Sequence, residues 1–172
     1  MSELSRLILT RIRDVSDYPQ PGVLFKDITP LLADPLAMAA VVDELAGLHR
    51  VDKIVGIEAR GFILAAPVAY KAGAGFVPVR KKGKLPSETL EESYDLEYGS
   101  ATIEVHRDAF IPGERVLIVD DVLATGGTAC AAVELVRRAG ADVVAIAVLM
   151  ELAFLNGRER LDGVEVHSLV IV

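Results

Sequence analysis

The chain holds only one cysteine, Cys130. A single thiol closes no internal disulfide and assembles no thiolate metal site, so redox and zinc chemistry fall away. Long hydrophobic stretches are missing as well. The longest apolar run, Val143 to Met150, is closed by Glu151, far short of the ~18 residues that cross a bilayer, so no membrane span or membrane partner is expected. Met1 to Val15 carries arginines and acids through its apolar positions. It lacks the uninterrupted core and small-residue cleavage site of a secretory signal, and a cytoplasmic location is expected. No long block of one charge sign occurs: 18 Lys plus Arg stand against 25 Asp plus Glu, a net of −7. That balance argues against a general binder of nucleic acid or anionic membrane. Internal repeats and low-complexity segments are also absent.

What remains is material for one compact domain of 172 residues, 52% of them hydrophobic. Leu4, Leu7, Ile8, Ile12 and Val15 fall at helical spacing and predict an amphipathic first helix. Pro19, Pro21, Gly22 and Pro30 then predict an ordered loop around the apolar island Val23–Phe25. Asp34-Pro35 is an N-cap followed by a first-turn proline, and its helix is expected to run through Leu45 toward His49. From residue 51 the pattern alternates as in βαβ units: strand Ile54–Ile57, helix Gly61–Ala72, strand Phe76–Val79. Lys81–Gly99 reads as a long excursion or hairpin arm. Strands Ala101–Val105 and Arg115–Val119, a helix Thr128–Ala139, a strand Val143–Met150, a closing helix and a strand Val164–Val172 are expected to follow.

The most informative segment is Val116 to Thr128, VLIVDDVLATGGT, a buried strand ending in two acids that turns through small residues into a helix. Paired glycines open backbone conformations closed to other residues. The N–H groups of Ala124, Thr125, Gly126, Gly127 and Thr128 can then converge on one anion at the helix N-terminus, with two threonine hydroxyls as further donors. Asp120 and Asp121 stand one loop away, where carboxylates can accept from a sugar diol, so the unit suits a ribose 5-phosphate. Two other phosphate motifs fail: Gly83-Lys84 is followed by Leu85 instead of Ser or Thr, and Gly73-x-Gly75 has Pro78 where the dinucleotide fingerprint needs glycine. Arg60, in Glu58-Ala59-Arg60-Gly61 after the strand Ile54–Ile57, emerges at the carboxyl edge of the sheet, where open α/β sheets bind ligands. Arg80-Lys81-Lys82-Gly83-Lys84 puts four cations in five residues of an acidic chain, enough to attract a polyanionic small molecule. His49, His106 and His167 are isolated in sequence, and structural or surface roles are expected for them. Cys130 is expected to be a small buried helix residue.

Val116 to Thr128 resembles the signature by which type I phosphoribosyltransferases bind 5-phosphoribosyl 1-pyrophosphate (PRPP). Further similarity, in the family's order, covers Tyr18–Pro30, Gly56–Phe62, Arg80–Pro86 and Ser93–Gly99, nearly the whole chain. The first and fourth of these segments resemble the adenine-using members. The resemblance implies an α/β fold with a mainly parallel central sheet flanked by helices, and a small hood from about residues 17–34 and 81–99. It implies transfer of phosphoribose from PRPP to adenine, giving AMP and pyrophosphate, with Mg²⁺ as cofactor and no direct protein ligand to the metal. It assigns PRPP to Asp120, Asp121 and Ala124–Thr128. Pyrophosphate goes to Glu58, Ala59, Arg60, Arg80 and Lys84, the last two acting within the chain or across a homodimer interface. It assigns adenine to Val23, Leu24, Phe25 and Lys26, with Phe25 stacking on the base. Glu97 would manage a proton on the purine, with Tyr98 beside it on a closing loop, and Glu97 and Arg60 would carry the catalysis. Lys26 stands where other members often have arginine. Two rivals stay open: a PRPP-sensing regulator that binds nucleic acid, and a sister enzyme using a 6-oxopurine or a pyrimidine.

Overall fold

A computed structural model describes residues 2–95 and 99–172. The chain begins with α1 (Glu3–Thr10), capped by Ser2, whose side chain accepts from the Ser5 N–H. The helix stops well before Val15. Thr10 donates its hydroxyl to the Leu7 carbonyl at 2.8 Å, competing with the next helical turn, and Arg13–Ser16 forms strand β1 instead. β1 pairs antiparallel with β2 (Leu24–Asp27), Val15 opposite Phe25. The expected loop is therefore a hairpin; its prolines flank the strand without interrupting it. Pro30 lies in the first turn of the short helix α2 (Thr29–Ala33). Asp34 caps α3 (Pro35–Gly47), accepting from the Leu36 and Ala37 N–H groups at 3.0 and 3.1 Å.

The alternating pattern then unfolds as β3 (Lys53–Ile57), α4 (Arg60–Ala72), β4 (Gly75–Lys81), β5 (Thr89–Asp95), β6 (Ser100–His106), β7 (Arg115–Leu123), α5 (Gly127–Arg138), β8 (Asp142–Glu151) and β9 (Glu165–Ile171). The main sheet has seven strands in the order β5-β6-β4-β3-β7-β8-β9. β3, β4, β7, β8 and β9 run parallel, and β6 joins β4 and β5 antiparallel. The 81–99 excursion is thus partly a β5–β6 arm, with Thr89 opposite His106 and Asp95 opposite Ser100. β7 outruns its expected end at Val119, because β8 pairs with it as far as Leu123 opposite Glu151. Asp120 and Asp121 consequently lie inside the strand. In place of the closing helix are two 3₁₀ turns, Ala153–Leu155 and Gly157–Leu161, separated by Asn156 at a φ of 52°.

Each face of the sheet carries its own core. On one side α5 packs against Val55, Ile118 and Ile146; on the other α1, α3 and α4 bury Ile8, Val41, Leu45 and Leu64 against Ile54, Leu117 and Leu149. Successive strand residues point to opposite faces, so the near-continuous apolar runs of β7 and β8 follow from burial on both sides. The chain leaves β3 for β4 on one flank, and β7 later pairs on the other. Between the carboxyl ends of β3 and β7 lies the crevice that this reversal leaves open. Among the described residues, no helix is long and apolar enough to cross a membrane.

Candidate active site

A cleft of about 520 Å³ occupies that crevice. From the turn after β3 and the start of α4 come Glu58, Ala59 and Arg60, from β7 Asp120 and Asp121, from the loop and α5 Ala124 and Thr128, and from β2 with its lead-in Val23, Leu24, Phe25 and Lys26. Thr125, Gly126 and Gly127 line a smaller recess of about 80 Å³, also bordered by Asp120, Ala124 and Thr128. Three segments far apart in sequence, 23–26, 58–60 and 120–128, thus meet at one carboxyl edge. Glu97 and Tyr98 lie outside the described residues; Tyr94, on β5, lines the cleft.

The recess opens on the N-terminus of α5. Gly126 stands at the N-cap with φ 82°, and no described side chain caps the helix, so its first N–H groups are free to bind an anion. Only one of the paired glycines uses the left-handed region. A Cβ on Gly126 would run into the carbonyl of Gly157, and one on Gly157 into that of Ala124. The loop is therefore moulded against the second 3₁₀ turn. Arg158 holds that turn in place, donating from Nε to Glu151 at 3.0 Å, from Nη2 to Glu151 and Ser168, and from Nη1 to the Val166 carbonyl at 2.8 Å. The Arg158 guanidinium keeps the buried Glu151 carboxyl below its ordinary value. Sequence reasoning missed Gly157; the Asn-Gly pair after a buried strand was the available signal.

The two aspartates are electrostatically unequal. Asp120 Oδ1 accepts the Asp121 N–H at 2.8 Å, yet burial, reinforced by the neighbouring Asp121 charge, pushes the Asp120 carboxyl well up. Asp121 is buried, and its Oδ2 is ion-paired with Arg60 Nε at 2.8 Å. Arg60 also has its guanidinium carbon 5.0 Å from the Phe25 ring centroid and donates to the Lys26 carbonyl at 3.4 Å. A cation–ring contact of that kind at a part-exposed position contributes about 0.5–1 kcal/mol; the ion pair with the buried Asp121 is the stronger tie, which an incoming anion has to replace. Phe25 also meets Tyr18 edge-on, centroids 5.1 Å apart. The Lys26 ammonium is engaged by Asp14 at 2.8 Å.

The cationic run is arranged differently from the sequence expectation. Glu58 uses its carboxylate to hold Arg80, at 3.1 and 3.3 Å, and the Lys81 N–H at 2.9 Å. Burial alone would raise this carboxyl, but the Lys81 and Arg80 donors outweigh it and bring it below the ordinary value. Arg80 also donates to the Lys84 carbonyl at 3.0 Å. Neither Arg80 nor Lys84 lines the cleft; Lys81 does. Alternation explains the exchange, since Val79 and Lys81 share the face of β4 opposite to Arg80. Beneath the run sits Glu104, 3% exposed, accepting from the Lys84 and Leu85 N–H groups at 2.9 and 2.8 Å and from Thr89.

Burial pushes Glu104 up, and the N–H donors of residues 83–85 pull it down further, leaving its carboxyl below the ordinary value. A carboxyl depressed by folding adds stability that is complete above the unfolded value, about 4.3, and is lost as the pH falls through the folded one. The Glu104→Gln variant should therefore be less stable than the parent at pH 7, with the difference shrinking toward pH 3. Urea unfolding at both pH values checks this, and a gap independent of pH would deny Glu104 its charge-based role.

Comparison with known proteins matches residues 29–168 to the Phosphoribosyl transferase domain family. The adenine phosphoribosyltransferase of Streptomyces galbus is 62% identical over 179 residues, spanning 100% of this chain and 98% of that protein. The crystal structure of adenine phosphoribosyltransferase from Thermoanaerobacter pseudethanolicus superposes with a TM-score of 0.95 at 48% identity, covering 98% of this chain and 99% of that one. The Saccharomyces cerevisiae adenine phosphoribosyltransferase, complexed with an imino-altritol bisphosphate and adenine, gives a TM-score of 0.92 at 37% identity, covering 98% and 99%.

Proposed function

We infer the chemistry of this cleft from one premise: the chain belongs to the phosphoribosyltransferase family. It is an enzyme that transfers the 5-phosphoribosyl group of PRPP to adenine, giving AMP and pyrophosphate in purine salvage. The expected α/β fold holds, with its mainly parallel sheet flanked by helices. The roles of individual residues are our reading, and the observation that carries it is the convergence of an uncapped helix N-terminus, an aspartate pair and the Phe25 segment on one cleft.

In this reading the N–H groups and hydroxyls of Ala124–Thr128 hold the 5-phosphate, and Asp120 and Asp121 accept from the ribose diol. Phe25 stacks on adenine once Arg60 leaves its ring face, and the backbone of Val23–Lys26 reads the amino edge. Arg60 turns to the pyrophosphate, where its fork makes bidentate contacts. Glu58 positions Arg80 and, with the Ala59 backbone, shapes the pyrophosphate turn; Lys81 adds positive charge from β4. The C1–oxygen bond to pyrophosphate breaks as the C1–nitrogen bond to adenine forms, through an oxocarbenium-like state. Catalysis then rests on positioning both substrates and stabilising the departing anion. Glu97 takes up the purine proton, with Tyr98 beside it under the hood. The hood comes from about residues 17–34 and 81–99 of a one-domain chain; the β1–β2 hairpin and the β5–β6 arm support it, each lending residues to the cleft.

The raised Asp120 carboxyl, and the Asp121 carboxylate once Arg60 turns to the pyrophosphate, are groups that a nearby cation would relieve. They fit a Mg²⁺ that takes most of its ligands from substrate and water and, when bound, neutralises charge on the pyrophosphate. Excess chelator should abolish turnover and Mg²⁺ restore it, with the substrate-free melting temperature nearly unchanged. Full activity in chelator would rule the ion out. A homodimer is supported by the exposed Tyr70 lining the groove between α3 and α4; Lys84, outside the cleft of its own chain, would then serve a partner site, and Arg80 would do so on leaving Glu58. The lone Cys130 fits the cytoplasm. The reading as a whole is tested with a panel of bases. Adenine should exceed hypoxanthine, guanine and orotate by ~10⁴-fold in kcat/KM, because buried polar complementarity discriminates on that scale. Comparable turnover of hypoxanthine would overturn the proposed reading of the base.

A further inference from the structure

Two histidines that are 118 residues apart in the chain meet in the fold. His49 follows the end of α3, and His167 lies on the edge strand β9; their Nε2 atoms are 3.1 Å apart. Glu165 is on the same strand, two residues before His167, and therefore on the same face. Its carboxylate spans the pair, with Oε2 3.5 Å from His49 Nε2 and Oε1 3.0 Å from His167 Nε2. His49 and His167, isolated in sequence, are neighbours in the fold. None of the three residues lines the cleft.

We propose that His49, His167 and Glu165 form a second, non-catalytic site for a zinc-class dication. Three features carry it. The donors are two imidazole nitrogens and a carboxylate, the set that borderline first-row metals take with three protein ligands and an open position. Their spacing is close to that need: bonds of about 2.0–2.1 Å at tetrahedral angles put neighbouring ligand atoms about 3.3 Å apart. The two Nε2 atoms are 3.1 Å apart, one Glu165 oxygen is 3.5 Å from His49 and the other 3.0 Å from His167, and one donor atom from each residue lies within 4.8 Å of the others, so a small rotation of the exposed carboxylate completes the triad. The position is reachable, since Glu165 is 55% exposed while both rings are partly buried and held in place. A bound cation joins the end of α3 to the outermost strand of the sheet, so its effect is on the cohesion of that edge.

The test uses the untagged full chain, stripped with chelator and desalted, titrated with Zn²⁺ in a calorimeter and compared with His49→Ala, His167→Ala and Glu165→Gln. The parent should bind one Zn²⁺ per chain at this site with micromolar or tighter affinity, weakened at least tenfold in each variant. Zn²⁺ should raise the melting temperature of the parent and not that of His167→Ala. Glu165→Gln alters an exposed side chain and keeps the test valid if a histidine variant fails to fold. No saturable binding by the parent overturns the proposal, as does binding that Glu165→Gln leaves unchanged.

Discussion

Gly126→Val should lower PRPP affinity at least about a hundredfold while the far-ultraviolet circular dichroism stays that of the parent. The residue sits at φ 82°, where a side chain costs roughly 1–2 kcal/mol and a β-branched one more. Its Cβ would also run into the Gly157 carbonyl. That turn cannot simply retreat, because Arg158 ties it to Glu151, Ser168 and Val166. The phosphate loop must move instead, and a displacement of about 1 Å in a positioning element is worth about a hundredfold. Gly127 provides the contrast. It lies outside the left-handed region, and a Cβ there would meet the Tyr94 ring at 3.1 Å, so Gly127→Ala should cost only a few-fold. Titration calorimetry with PRPP distinguishes the two, and parent-like affinity in Gly126→Val would remove the loop from the site.

The second large effect is expected at Glu97, two residues after Asp95 in the sequence. Adenine reacts through one ring nitrogen while a proton is accommodated at another, and a carboxyl group against the ring can serve as partner. Glu97→Gln keeps shape and hydrogen bonding but removes titration. General acid–base help is commonly ~10²–10⁴-fold, so kcat should fall by that much while PRPP affinity stays within about twofold, PRPP being held by Ala124–Thr128 and Arg60. Steady-state rates together with PRPP titration separate the cases. Unchanged kcat would leave Glu97 a solvated loop acid, and lost PRPP affinity would make it a shaping residue.

The legible parts of the site were those whose chemistry is contiguous. VLIVDDVLATGGT reads as strand, acids, small-residue turn and helix because each step is local, and β7 overran its expected end only through pairing with β8. Ile12 and Val15 kept helical spacing, but Ile12 falls between elements and Val15 joined a hairpin, since periodicity does not register a Thr10 hydroxyl closing the helix or a Phe25 waiting across the turn. Among the cations, Lys81 rather than Arg80 or Lys84 reaches the cleft, a choice made by strand alternation once β4 extends to Lys81. The His49–His167 pair and the backing of Gly126 by Gly157 were illegible for another reason. They are long-range contacts, visible only after the sheet order is known.

The same backing links activity to the timing of synthesis. Every residue assigned to substrate is translated by Thr128, yet the surface against which the loop is shaped arrives with Gly157, and its anchor Ser168 later still. A nascent or truncated chain that ends between these points would own all its ligand-binding side chains and still present an unformed cradle. Competence for catalysis is therefore acquired late, when the sheet gains its outermost strand.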